Sequence, residues 1–351
     1  MKIITIILLF ISSIVYSNTY VLELHKGKSY WIKQSKYKIQ PGDTLLLKGK
    51  ADAITFVNFK GTKEKPIVIT NEEQVYIKYS GNKAIGINNC QHVILSGNNT
   101  HNQYGIIISA TEKTHESAIH VYAFSSDIEI CNIKITSAGF AGIMAKTNPS
   151  KNNPKTWREN YVLNNLIIHD NLISNTGGEG MYIGYFTYGK VKGVKPHSVK
   201  NLQVYNNIVE YTGWDGIQVS CADKNTKIYN NHIKYFGIKD VWAQNSGMSI
   251  NSGFNGEIYN NIIEYGTGNA INIMPLDSAK IFNNILKNIQ KTSSGIYIQN
   301  DTLMNNNCVV TITNNFIDAG TSLYIQNKNT ATNFKLIKFT NNTLKINKEE
   351  L

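Results

Sequence analysis

The sequence predicts an all-β fold, a parallel β-helix in which short strands stack coil upon coil. Two short motifs alternate along the chain, and successive copies of the first are never closer than 23 residues. No amphipathic helix of ordinary length separates them, as a doubly wound sheet would require.

The first motif is aliphatic-x-Asn-Asn or a near variant: Ile168-His-Asp-Asn171, Val204-Tyr-Asn-Asn207, Ile228-Tyr-Asn-Asn231, Ile258-Tyr-Asn-Asn261, Ile281-Phe-Asn-Asn284 and Ile312-Thr-Asn-Asn315. Its last Asn recurs at spacings of 36, 24, 30, 23 and 31, which suits a coil of constant length carrying loops of variable length. The second motif is small-apolar-x-apolar, as in Gly142-Ile-Met-Ala, Gly180-Met-Tyr-Ile, Gly216-Ile-Gln-Val, Gly247-Met-Ser-Ile, Ala270-Ile-Asn-Ile and Gly295-Ile-Tyr-Ile. Ala118-Ile-His-Val and Ala84-Ile-Gly-Ile extend it toward the N-terminus. Within both motifs apolar residues alternate, the mark of a strand with one buried face. Stacked coils then bury their inner side chains against one another, as a solenoid must. The Asn column is expected at tight turns, because Asn tolerates the left-handed conformation and can hydrogen-bond from coil to coil.

The chain begins with Lys2, an apolar stretch from Ile3 to Val15, and Val15-Tyr16-Ser17 at a cleavage point. Residues 1–17 therefore read as a secretory signal, too short for a membrane span and followed by no second apolar segment. The expected location is secreted, periplasmic or on the cell surface. Residues 18–351 are expected to form one domain, with 18–80 capping the N-terminal end and 81–345 making the coils.

A formal charge of +11 suggests an anionic partner. Nearly all the bases are lysine, Arg158 being the single arginine, and readers of nucleic acid lean on arginine forks. Nucleic acid is therefore set aside. Cys90, Cys131, Cys221 and Cys308 form no compact framework and read as buried free thiols. No CxxC or HExxH spacing points to zinc.

The repeats over residues 80–345 resemble the right-handed parallel β-helices of the pectin-lyase-like superfamily. The segment Ile39-Gln-Pro-Gly-Asp43-Thr-Leu-Leu-Leu47, with Gly61-Thr and Pro66-Ile-Val-Ile69, resembles the start of such proteins. The resemblance implies action on polysaccharides, although fold alone does not grant it. Departures are plain: there is no Asp-Pro-His of alginate epimerases, no Asp-Asp or Gly-His-Gly of polygalacturonases, and no Arg-and-Asp pattern of calcium pectate lyases.

Aligning the second motif coil by coil turns the sequence into columns. Before the small residue stand Ser117, Ala141, Glu179, Asp215, Ser246, Asn269 and Ser294. Two places after it stand His120, Met144, Tyr182, Gln218, Ser249, Asn272 and Tyr297. Coils lie about 4.8 Å apart, so Glu179 and Asp215 should be spatial neighbours. Such carboxylates either hold a proton for acid–base work, bind Ca²⁺ together, or relax apart as solvated turn residues. No cofactor is required; calcium is the one candidate, on Glu179 and Asp215.

The longest excursions, 145–161 and 184–200, leave after this strand on consecutive coils, while 237–246 enters it from the other end. They carry Arg158, Tyr185, Lys190, Lys192 and Trp242, and Trp214 precedes Asp215. Aromatic faces suit sugar rings and lysines suit uronates or sulfates. The function expected is a monomeric polysaccharide lyase or glycoside hydrolase acting on an acidic polysaccharide. Its expected catalytic residues are Glu179, Asp215, Tyr182 and His120. Gln218, Trp214, Arg158, Tyr185, Lys190, Lys192 and Trp242 are the expected substrate contacts. The alternative is a non-catalytic polysaccharide-binding or surface protein using the same groove.

Overall fold

A computed structural model describes residues 17–111, 114–191, 193–299, 303, 307–326 and 334–345. The architecture is the expected one, a parallel β-helix of about eleven turns with three strand ladders. One four-residue α-helix, Gln34–Tyr37, and one 3₁₀ turn, Pro154–Thr156, are the helical elements among those residues.

On the first face, strands run in parallel register from Ser29–Lys33 through Ile85–Asn88, Ile119–Tyr122, Ile143–Ala145, Met181–Ile183 and Ile217–Val219 to Thr321–Ile325. The second face runs from Thr19–Leu24 to Phe334–Thr340 and carries the Asn-Asn motif at its end. The third runs from Val75–Tyr79 to Thr343–Lys345. The ladders begin at Thr19, so residues 19–79 are themselves coils. A smaller sheet of Val162–Asn164, Ser198–Lys200 and Ala222–Lys224 gathers the returning ends of the long loops.

The core is the stack of inward aliphatics, such as Ile143, Met181, Ile217 and Met248 from the first face and Ile173, Val209, Ile233 and Ile263 from the third. The glycine column is small because those faces meet there. A Cβ on Gly180 would lie 2.3 Å from Val209 Cγ1 and 2.5 Å from the Gly216 carbonyl; one on Gly216 would meet Ile233 and Gly247 as closely.

The two residues of the Asn-Asn motif divide the work that the sequence suggests for one. The first is left-handed: Asp170, Asn206, Asn230, Asn260, Asn283 and Asn314 all have φ between 54 and 58°. The second is buried and builds the ladder. Asn231 Nδ2 donates to Asn261 Oδ1 at 3.0 Å and to the Val204 and Tyr229 carbonyls, and its Oδ1 accepts from Asn207. Beside it His169, Tyr205, Tyr229, Tyr259 and Phe282 stack ring on ring at 4.7 to 4.9 Å. The four cysteines are free and buried. No helix among the described residues is long and apolar enough to cross a membrane; the segment 1–16 lies outside them.

Candidate functional site

The first-face register sets His120, Met144, Tyr182, Gln218, Ser249 and Asn272 in one row across six coils. They are the outward residues of their strands, yet Tyr182, Gln218, Ser249 and Asn272 are buried. A polar row largely withdrawn from water is an unusual use of a solenoid face, and some of it lacks partners. Asn272 Oδ1 and His120 Nε2 are buried without a hydrogen bond among the described atoms.

Behind the row lie Glu179 and Asp215, at 1% and 0% exposure. They occupy successive coils, as the column alignment requires, because the Gly180 and Gly216 amides bond to the next coil in the same register. Asp215 Oδ1 accepts the Ser246 amide at 2.7 Å, whereas Asp215 Oδ2 and Glu179 Oε2 are buried without a hydrogen bond among the described atoms. Burial pushes the Glu179 carboxyl up to about 7, against the pull of its own amide and of Lys146. Burial likewise pushes Asp215 up to about 8, the Ser246 amide opposing and the Glu179 charge adding to the rise. Neither is a solvated turn residue. Phe140 packs edge-on against Tyr182 at 6.2 Å and against Trp214, the residue before Asp215, at 5.6 Å.

Lys146 is the residue that sequence reasoning passed over. It follows the strand Ile143–Ala145 directly, within the excursion 145–161 that the sequence predicts. Its ammonium sits 4.0 Å from the Tyr182 ring centroid and 5.7 Å from that of Tyr185. Burial lowers its pKa, while the charge of Glu179 raises it. The signal was a lysine in the column that otherwise holds Tyr122, Gly184 and Ser220. His120, stacked on Tyr122 at 4.7 Å, is pushed down to about 3 by burial and by the charges of Lys83 and Lys146. It is neutral at physiological pH. His120 and Lys146 also line a cleft of about 290 Å³ with Phe124 and Asn153.

The remaining expected contacts divide. Trp214 and Tyr185 belong to the cluster just described. Arg158 is committed to its own fold: its guanidinium lies 3.4 Å from the Tyr188 ring centroid and donates to the Tyr188 and Pro196 carbonyls. It thereby pins the 184–200 loop. Tyr188 carries that loop onward, its amide donating to Ser252 Oγ at 2.9 Å and its hydroxyl to Asp223 at 3.0 Å. Lys190 is exposed, and Trp242, 91% exposed, projects from the loop at the opposite end of the strands. Lys192 lies outside the described residues. For calcium, the pair offers two unpartnered oxygens of the six to eight such an ion takes.

No protein-family model matches the sequence, and neither does any curated protein. Solved structures match the fold. A GH136 lacto-N-biosidase from Eubacterium ramulus is similar over 94% of this chain and 68% of its own, with a TM-score of 0.50 and 12% identity. The periplasmic alginate epimerase AlgG covers 93% of this chain and 77% of itself, at TM-score 0.46 and 11% identity. An alginate lyase from Paenibacillus covers 84% and 97%, at 0.41 and 16%. At such identities the likeness is one of fold, and the chemistry rests on this chain's own residues.

Proposed function

We propose that this protein is an exported enzyme that cleaves an acidic polysaccharide along the first face, by β-elimination next to a uronate carboxyl. One observation carries the reading: Lys146, its pKa lowered by burial, beside Glu179, raised to about 7. Burial makes Lys146 readier to give up its proton and Glu179 readier to hold one, the two trends that a general base and a general acid need. Lys146, its own proton given up, would take the hydrogen on the carbon next to the uronate carboxyl; the glycosidic carbon–oxygen bond on the adjacent carbon then breaks, leaving a double bond, and the departing oxygen takes the proton held by Glu179. Asp215, with about the same affinity, keeps a second proton behind it. Tyr182, Gln218 and Asn272 would orient the sugar, with neutral His120 at the N-terminal end of the row. The structures of a glycoside hydrolase, an alginate epimerase and an alginate lyase share the fold, which agrees with this reading by analogy.

The test is a screen of anionic polysaccharides in which unsaturated uronate and new reducing ends are read in parallel. Elimination produces both, and Lys146→Gln and Glu179→Gln should each slow it at least ~100-fold. Reducing ends without unsaturation would make the enzyme a hydrolase. Polysaccharide bound but left intact would make it a binding protein. Loss of activity on chelation, rescued by calcium, would assign the carboxylates to a metal instead.

A further inference from the structure

A second cluster of chemical side chains lies on the second face, away from the row just described. The strands Ser126–Cys131 and Leu166–His169 are register neighbours, with Cys131 opposite His169 and Glu129 two residues before Cys131. One ligand atom from each of Glu129, Cys131 and His169 lies within 4.8 Å of the other two. His169 Nε2 is 3.3 Å from Glu129 Oε1, and Cys131 Sγ is 4.0 Å from the same oxygen.

The histidine is held as a metal-binding histidine is held. Its ring is fixed in plane by stacking on Tyr205 at 4.7 Å and 5°. Its Nδ1 faces Asp170 Oδ2 at 2.6 Å, and a hydrogen on Nδ1 donated there leaves Nε2 as the free ligand atom. That lone pair would point at a carboxylate oxygen, which is repulsive unless a cation stands between them. A proton on Nε2 can serve, and so can a metal ion.

We infer that Glu129, Cys131 and His169 form a site for a zinc-class divalent ion, tying two successive coils together and leaving one coordination position open. Two ligands bound at ~2.0–2.3 Å in a tetrahedral arrangement stand ~3.3–3.7 Å apart. The nitrogen–oxygen edge, at 3.3 Å, already has that length, and the sulfur–oxygen edge, at 4.0 Å, is slightly longer. A thiolate, an imidazole and a carboxylate are a borderline-soft set that favours zinc over calcium or magnesium. Of the three, Glu129 is the one water reaches most: its side chain is a third exposed, and the residue lines a cleft of about 270 Å³ with Pro66, His92 and Asn165. The inference is independent of the polysaccharide reading, because none of its residues belongs to the first face.

The test uses the full mature chain without an affinity tag, stripped with chelator and titrated with Co²⁺ and then Zn²⁺. One equivalent of cobalt should bind with thiolate-to-metal charge-transfer absorption, and zinc should displace it. Cys131→Ser should abolish the absorption, and His169→Gln and Glu129→Gln should each weaken binding at least ~10-fold. Glu129→Gln, at a partly exposed side chain, guards against loss through misfolding alone; its far-ultraviolet spectrum should match wild type. Failure of the wild-type protein to take up metal would overturn the site, leaving His169 as an imidazolium between two carboxylates. Wild-type affinity in any one of the three variants would overturn this ligand set.

Discussion

Replacing both buried acids, Glu179→Gln with Asp215→Asn, should change how stability depends on pH more than stability itself. In the folded protein burial raises these carboxyls to about 7 and about 8, and unfolding returns them to ordinary carboxylate values near 4. Below pH ~4 both states are protonated and the substitution changes no charge. From there to about 8 the unfolded chain sheds both protons while the folded protein keeps them. The folded state thus binds more protons, and wild-type stability falls as pH rises. Each tenfold difference in acidity is worth ~1.4 kcal/mol, so the pair should cost several kcal/mol by pH 9. The double variant escapes that cost. Its new amides carry a penalty of their own, ~1–3 kcal/mol for each unpartnered NH₂, but one that does not vary with pH. Urea unfolding at pH 5, 7 and 9, followed by tryptophan fluorescence, isolates the difference, because titrating groups that do not touch the pair cancel between the two proteins. Wild type should lose ground to the variant between pH 5 and about 8, most steeply below about 7. Stability curves that run parallel across that range would refute the burial argument and, with it, the stored protons.

Three further outcomes are expected. Asn231→Leu removes an amide bonded to Asn207, Asn261, Val204 and Tyr229, and should lower unfolding free energy by at least ~3 kcal/mol, checked by denaturant melts. Gly180→Ala puts a methyl against Val209 and the Gly216 carbonyl, and should cost ~1–3 kcal/mol or more, with an unchanged midpoint counting against the two-face packing there. Gln at Lys190, Lys192 and Lys195 should weaken binding of an anionic glycan, with a loss that shrinks at high salt; because Lys195 pairs with Glu159 at 3.2 Å, Lys190 should account for more of it.

What the sequence made legible is whatever repeats. Register follows from alternation, so the adjacency of Glu179 with Asp215 and of Tyr182 with Gln218 could be read before any coordinates. Burial could not, because it depends on side chains from other columns: Phe140 and Trp214 enclose a corner that the alignment leaves open. Loops resist for a related reason. Arg158 and Tyr188 meet through two excursions that have no period to align, so an arginine expected to meet substrate instead holds a loop in place. Lys146 was lost at the boundary, where strand becomes loop and the column continues for one residue more. The Glu129, Cys131 and His169 cluster was hidden by the repeat itself, since His169 reads as the variable position of a near variant of the Asn-Asn motif and Cys131 as a small buried thiol.

The asparagine ladder has a direction. From Asn171 to Asn342, each backbone amide and each Nδ2 donates forward to the Oδ1 of the next coil, and each Nδ2 also reaches back to a carbonyl of the coil before. A partly built stack therefore ends, on its C-terminal side, in two amide donors awaiting one oxygen, and only a further asparagine at the same corner fills both. Asn171 needs no such predecessor, since its own oxygen takes the Ile133 amide. A stack growing from its N-terminal end would thus add one coil at a time, each finished coil a template for the next, with the seam closing when Asn342 arrives.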